Sequence, residues 1–245
     1  MNDIKNAFLY YRDLRFHNLT SPKYKHLLLA LYWPMFGLVF MTLEKFWPVI
    51  WERLTGEPLI YQEVVSAMDA YIPFCEWFVI PYYFWFAFLV GMGIYGVLFD
   101  IRAFRHFSWF VILSYSATAI IYFLWPNSQG LRPMLDEIGR DNWMIDIVRG
   151  LYNFDTNTNV CPSIHVLGSF AVCFAGLHSE TLRGWGWKLF FVISTLLISL
   201  STVFLKQHSI LDVYAALALC AVCYPLVFHV ICRDRKKSPQ SAERD

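Results

Sequence analysis

The chain has 245 residues, of which 57% are hydrophobic, 19% are aromatic and only 16% are charged, and its formal net charge is +1. This composition is more apolar than that of ordinary soluble domains, and the near-neutral charge indicates no nucleic-acid partner. The apolar residues are gathered into segments close to the about 20 residues that a helix needs to cross a bilayer. We therefore expect an all-α, polytopic membrane protein with six transmembrane helices, forming a single integral membrane domain over residues 1–245.

The first half of the chain predicts two spans with an interfacial segment between them. Residues 1–25 are polar and basic, which is typical of a cytoplasmic lead-in, and a first span is expected at about residues 26–43. Residues 44–71 combine acids with tryptophans and prolines, a composition typical of the membrane–water interface. A second span is expected at about residues 71–99, with a kink near Pro81 and close helix packing at Gly91, Gly93 and Gly96.

The second half predicts four more spans around one long polar stretch. A short basic link at residues 100–106 precedes a third span at 107–125, and a polar loop follows at 126–160. A connection of this length is more often functional than not. Further spans are expected at 162–177, 187–204 and 208–232, which complete a six-helix core over residues 26–232, and a basic cytoplasmic tail follows at 233–245.

The distribution of basic residues predicts the orientation. Most of the 20 Lys and Arg residues lie in the lead-in, the 100–106 link, the link between the fourth and fifth spans, and the tail. The positive-inside rule then puts both termini in the cytoplasm. The ionisable residues near His165 and His208 consequently come to the non-cytoplasmic face, and the plasma membrane is the expected location.

Ionisable residues lie at two junctions on that face. Pro162 suits the first turn of a helix, so the fourth span is expected to begin there, with Ser163 and His165 beside free N–H groups that attract an anion such as phosphate. At the next junction His208 and Asp212 are four residues apart, so the carboxylate can hold one ring nitrogen and leave the other as a nucleophile or base. The same residue types can also bind a metal, but the anion-binding helix start makes that interpretation the weaker one. No cofactor is expected.

Three short motifs follow one another along the chain: Arg132-Pro133, the run Pro-Ser-Ile-His that ends at His165, and Ser201 followed by His208 and Asp212. Their conjunction resembles the phosphatidic acid phosphatase type 2 superfamily, over roughly residues 70–230. The resemblance implies a six-helix membrane core and a metal-independent reaction. It also implies that His208 attacks phosphorus to form a phosphohistidine, that Asp212 orients His208, and that His165 protonates the leaving group.

Other polar residues are candidates for binding the substrate. By the same resemblance, Arg132 grips the phosphate with its fork of donors, aided by Ser163. Two cations of the family pattern are missing, because Trp125 and Thr202 stand where the family has a lysine and an arginine. Lys206 replaces them in one interpretation and is a solvated interfacial lysine in the other. Further candidates for substrate binding are Asp155, Asn159 and Ser201.

The sequence leaves three functions open. The leading one is a lipid phosphatase that hydrolyses a phosphate monoester or diphosphate of a lipid, because this reaction requires the fewest components. The missing cations and the long loop at 126–160 favour instead a head-group phosphotransferase, similar to inositol phosphorylceramide synthase and sphingomyelin synthase. A non-enzymatic transporter or scaffold is the third, against which His165, His208 and Asp212 argue. The expected partners are a phospholipid or lipid phosphate substrate, membrane lipids and, for a transferase, a lipid-alcohol acceptor. The sequence predicts no oligomeric state.

Overall fold

The computed structural model describes residues 9–233, which form a mostly helical protein with 72% helix and 2% strand. The helices are α1 (Lys25–Thr55), α2 (Glu76–Phe99), α3 (Ile101–Leu124), α4 (Trp143–Phe154), α5 (Ile164–Leu177), α6 (Trp185–Phe204) and α7 (Ile210–Ile231). Five of these, all except α4 and α5, are long and apolar enough to cross a membrane. The predicted all-α class is thereby confirmed, and the five apolar helices indicate a membrane protein. Residues 1–8 and 234–245, with part of the predicted lead-in and most of the predicted tail, lie outside the described residues.

Helix α5 lies at the centre of the bundle. It has 14 residues, most of them buried, and small residues let its neighbours approach closely. A Cβ atom added at Gly168 would lie 2.5 Å from Tyr115 Oη of α3, and one added at Gly176 would lie 2.5 Å from the ring of Phe191 of α6. Real Cβ atoms essentially never lie this close to another heavy atom. The helices can therefore pack this closely because both positions are glycine.

The two ends of α5 are fastened to opposite ends of the bundle. Before its first residue, the carbonyl oxygen of Pro162 accepts a hydrogen bond of 2.6 Å from Tyr122 Oη, near the end of α3. After its last residue, Ser179 Oγ donates a hydrogen bond of 2.6 Å to the carboxylate of Asp100, where α2 gives way to α3. Helix α5 therefore bridges the same two ends as the long helices around it.

Several helices begin or end where the sequence did not predict. Helix α1 continues to Thr55, past the predicted end of the first span at residue 43. Glu44, which suggested a water boundary, instead accepts hydrogen bonds from Thr158 Oγ1 at 2.9 Å and Asn159 Nδ2 at 2.6 Å. Of the predicted 100–106 link, only Asp100 lies outside a helix. Its carboxylate caps α3 by accepting a hydrogen bond from the N–H of Ala103 at 2.9 Å.

The prediction of a proline kink in the second span was wrong. Pro81 lies in the first turn of the α-helical part of α2, Val79–Phe99, where its missing N–H breaks no helical hydrogen bond. The glycine prediction holds only for Gly96, whose added Cβ would lie 2.8 Å from the backbone of Phe104. An added Cβ would meet nothing within 4 Å at Gly91 and only a ring atom at 4.0 Å at Gly93.

The polar stretch at 126–160 is folded over one end of the bundle. Its first residues form β2 (Asn127–Ser128), which pairs in parallel with β1 (Gln62–Glu63) from the segment between α1 and α2. Helix α4 follows, capped by Asn142 Oδ1, which accepts a hydrogen bond from the N–H of Met144 at 3.0 Å. Its buried face packs with Tyr82 of α2. The stretch therefore forms a cover, and the sequence predicted only a loop.

Candidate active site

The first turn of α5 and the loop before α7 bring two imidazoles together. The ring centroids of His165 and His208 lie 5.8 Å apart, and both residues are buried. A backbone hydrogen bond of 3.2 Å from the N–H of Ser163 to the carbonyl of Asp212 joins the two segments. Helix α5 begins at Ile164 and not at Pro162 as predicted, and Ser163 is its N-cap residue. His208 likewise precedes α7 instead of lying within it.

Asp212 holds His208 and the start of α7 with a single oxygen. Its Oδ2 accepts a hydrogen bond of 3.0 Å from His208 Nδ1 and another of 3.0 Å from the N–H of Ser209. The second bond is half of a capping box at the start of α7. Because a carboxylate only accepts, the proton of His208 lies on Nδ1. The Nε2 atom therefore carries the lone pair that a nucleophile needs.

His165 is enclosed by aromatic rings of α2. The ring centroids of Tyr82 and Trp85 each lie 4.4 Å from that of His165. Tyr82 Oη donates a hydrogen bond of 3.2 Å to Asp155 Oδ2, which links this wall to the cover. Neither ring was predicted to be part of the site. Their three-residue spacing within the aromatic run at 82–86 puts them on one helical face, and that spacing was the available signal.

The guanidinium of Arg132 is engaged by the protein itself. Its terminal nitrogens donate to the carbonyls of Tyr152 at 3.1 Å, Asp155 at 2.9 Å and Thr156 at 2.7 Å, and to Gln207 Oε1. It also lies over the ring of Tyr152, at 4.7 Å from its centroid. Burial lowers the pKa of Arg132, and the charge of Asp155 opposes that shift. In this conformation Arg132 joins the cover to the loop that carries His208.

Lys206 is likewise engaged. Its Nζ donates a hydrogen bond of 2.7 Å to the backbone carbonyl of Asp69. Burial lowers the pKa of Lys206, and the charge of Asp69 opposes the shift. The Asp69 carboxylate accepts from Ser209 Oγ at 2.6 Å and from the N–H of Ile210 at 2.8 Å, so it anchors the start of α7. Asp69 was not predicted, although the capping-box spacing from Ser66 to Asp69 could have drawn attention to it.

The remaining predicted residues have different surroundings. Asn159 Nδ2 donates to Glu44 Oε1 at 2.6 Å, so Asn159 ties the cover to α1. Ser201 Oγ donates to the carbonyl of Ile198 at 2.6 Å and stays within its own helix, α6. Asp155 lines a large cavity beside His165.

Several buried polar atoms around the two histidines have no hydrogen-bond partner among the described residues. They are Trp85 Nε1, Arg132 Nε, Ser163 Oγ, His165 Nδ1, Gln207 Nε2 and Asp212 Oδ1. Gln207 precedes His208 and contacts Arg132, and Ser163 lies two residues before His165. Four of these six atoms, on Trp85, Arg132, Ser163 and Gln207, carry a hydrogen to donate. Since buried donors without partners are costly, this set suits an acceptor-rich anion.

The cavity has a volume of about 830 Å³ and lies between α1 and α2. Its walls are almost entirely apolar, with Trp33, Gly37, Phe40, Phe86, Val90, Gly93 and Ile94 among the lining residues. Polar side chains line it at one end, where His165 and Asp155 lie. The imidazole of His165 therefore faces a space suited to hydrocarbon.

Metal-binding and disulfide chemistry have little support over residues 9–233. No three His, Cys, Asp or Glu side chains in this range are grouped so that they could hold a metal ion. None of the six cysteines, all of which lie within this range, forms a disulfide bond. Burial, with the charge of Asp212 as a second cause, raises the pKa of the Cys161 thiol to about 12, so the thiol beside the site is protonated near neutral pH.

No family model matches this chain, and no curated protein or solved structure matches it either.

Proposed function

We propose that this protein is an integral membrane enzyme that cleaves a phosphate monoester or diphosphate of a lipid through a phosphohistidine on His208. The observation that carries the proposal is the 5.8 Å separation of the His165 and His208 rings, with Asp212 on the Nδ1 side of His208. An attacking atom lies about 3–3.5 Å from its target in a near-attack geometry, and an acid lies about 3 Å from the oxygen it protonates. Both rings can therefore contact one phosphoryl group.

The reaction proceeds in two displacements at phosphorus. His208 Nε2 attacks, the bond from phosphorus to the lipid oxygen breaks, and protonated His165 gives that oxygen its proton. Water then attacks the phosphohistidine and gives a proton to His165. The nitrogen–phosphorus bond breaks, and inorganic phosphate leaves with both histidines restored. Ser163, Gln207 and Arg132 have buried donors available for the phosphoryl oxygens.

The membrane placement in this proposal has six crossings. Helix α5 is the sixth, since it joins the same two ends of the bundle as its neighbours. Both termini then lie on the face opposite the site, and the positive-inside rule makes that face cytoplasmic. The enzyme then acts at the outer face of the plasma membrane. The order of its motifs and its His-His-Asp geometry support membership of the phosphatidic acid phosphatase type 2 superfamily.

A second candidate is head-group transfer, in which a lipid alcohol replaces water in the second displacement. The engagement of Arg132 and Lys206 with backbone carbonyls favours it. With both cations committed, the site offers little free positive charge, and a phosphodiester carries less negative charge than a phosphate monoester. A phospholipid donor then suits the site better than a lipid phosphate.

One assay tests the function and separates the two candidates. Purified protein is incubated with phosphatidic acid, with prenyl diphosphate, and with phospholipid plus ceramide or diacylglycerol. Release of inorganic phosphate supports the phosphatase, and formation of a new lipid supports the transferase. His208→Ala should abolish either activity, whereas His229→Ala, an exposed histidine of α7, should leave it unchanged. Failure to convert any of these substrates, or a requirement for added divalent metal, contradicts the proposal.

A further inference from the structure

The cavity beside His165 is a groove that follows α2 along most of its length. Its lining residues on this helix extend from Tyr82, next to His165, to Leu98, near the opposite end of the bundle. At 1.5 Å per residue this stretch rises about 24 Å. One leaflet contributes about 15 Å, half of the hydrocarbon core of about 30 Å. The groove therefore continues well past the middle of a bilayer.

Two glycines keep the groove open. Gly37 of α1 and Gly93 of α2 both line it. An added Cβ would meet nothing within 4 Å at Gly37, and only a ring carbon of Phe107, at 4.0 Å, at Gly93. Close helix packing therefore does not explain these glycines, in contrast to Gly96. A larger side chain at Gly93 fits the fold and takes up space inside the groove.

The walls and the opening indicate what occupies the groove. Ile94 and Val90 line it and are exposed at 55% and 60%, so the groove opens sideways between α1 and α2, where lipid surrounds the protein. Its polar groups are concentrated at the His165 end, where Asp155 and Tyr82 also lie. This distribution of one polar end and a long apolar body matches a lipid phosphate lying along α2.

We propose that the groove holds one hydrocarbon chain of the substrate lipid, with the phosphate at His165 and the far end beside Leu98, and that Gly93 determines the chain length accepted. The proposal rests on the proposed function for the identity of the polar end. A chain blocked at Gly93 cannot lie along α2 without withdrawing its phosphate from His165. A displacement of about 1 Å at a reacting centre can reduce the rate by about two orders of magnitude.

The first test compares substrates that share a head group. The Gly93→Leu variant should lower kcat/KM for dioleoyl phosphatidic acid by about tenfold or more and change that for dioctanoyl phosphatidic acid by less than about twofold. Gly91→Leu is the matched control, because Gly91 lies on the same helix and faces open space outside the groove. Gly93→Ala should show a smaller effect of the same kind. Equal losses for both substrates, or equal effects of Gly91→Leu and Gly93→Leu, overturn the proposal.

The second test does not depend on turnover. The wild-type protein is irradiated with a phosphatidic acid that carries a diazirine at the methyl end of an acyl chain, and labelled peptides are identified by mass spectrometry. Label is expected near Val97, Leu98 and Phe104, and Gly93→Leu should remove most of it. Label confined to outward side chains such as Leu196, which is 54% exposed, overturns the groove. Label in the groove without turnover of any lipid refutes the proposed function and leaves the chain site standing.

Discussion

Replacing Asp212 with asparagine separates the charge of the carboxylate from its geometry. In the structure one oxygen, Oδ2, accepts hydrogen bonds from His208 Nδ1 and from the N–H of Ser209, while Oδ1 is buried without a partner among the described residues. In Asp212→Asn the amide oxygen is expected at the Oδ2 position, because both donors point there. The tautomer of His208 and the cap of α7 are then kept, and only the negative charge is lost.

The magnitude follows from this orientation. Hydrogen bonds to charged groups contribute about 1.5–3 kcal/mol and neutral ones about 0.5–1.5 kcal/mol. The loss of charge therefore costs about 1–2 kcal/mol in the transition state, which is about 5- to 30-fold in rate. If the amide nitrogen faced His208 instead, the proton would move to Nε2, the nucleophile would be blocked, and the loss would approach about 10⁴-fold, as when a catalytic triad is left in the wrong tautomer.

The measurement is kcat/KM on the substrate identified in the product assay, together with thermal unfolding of the variant in detergent. We expect a loss of about 5- to 30-fold and an unfolding temperature close to that of the wild type because the capping oxygen remains. Activity equal to that of the wild type would show that the carboxylate does not act on His208. A loss near about 10⁴-fold would refute the orientation assigned to the amide.

Further predictions concern the nucleophile, the packing of α5 and the cover. Brief incubation with a ³²P-labelled lipid phosphate should place the label on His208, and label on His165 would reverse the two roles. Gly168→Ala should destabilise the protein by about 1–3 kcal/mol, because its Cβ would lie 2.5 Å from Tyr115 Oη. Gly150→Ala, with open space around its Cβ, should not. Arg132→Lys should lower the unfolding temperature by leaving buried carbonyls without donors, and an unchanged unfolding temperature with a raised KM would assign Arg132 to the phosphate instead.

The residues that meet in the candidate site were predictable because their spacing is local. The four-residue interval from His208 to Asp212 suffices for a hydrogen bond at a helix start, and the sequence predicted that pair together with His165 at the neighbouring start. The bounds of the helices were less predictable. Helices α5 and α7 begin at Ile164 and Ile210, each after a serine N-cap, and not at the predicted starts of the spans, Pro162 and His208.

Interactions that depend on distant parts of the chain were not predictable. The carbonyls that accept hydrogen bonds from Arg132 belong to the last turn of α4 and the residue after it. No local pattern around Arg132 predicts these contacts. Asp69 accepts a hydrogen bond from Ser209 at the start of α7, which is distant in the sequence. Glu44 likewise accepts one from Asn159 of the cover. Both acids were predicted to lie at the membrane–water boundary, because an acid beside an apolar run is usually solvated. In the structure, hydrogen bonds from backbone and side-chain donors compensate the cost of their burial.

In the proposed membrane placement, the short length of α5 determines how deep a bound phosphate would lie. Its 14 residues rise about 21 Å, against a hydrocarbon thickness of about 30 Å. With Ser179 at its far end hydrogen-bonded to the turn at Asp100, and with that turn placed at the membrane boundary, the His165 end would stop about 9 Å short of the opposite boundary. In the proposed reaction, a phosphorus centre bound there would lie below the level of the surrounding head groups, next to α4 and the segment around Asn159. The permeability of that cover to water, compared with the access of a second lipid from the side, would then decide between hydrolysis and transfer.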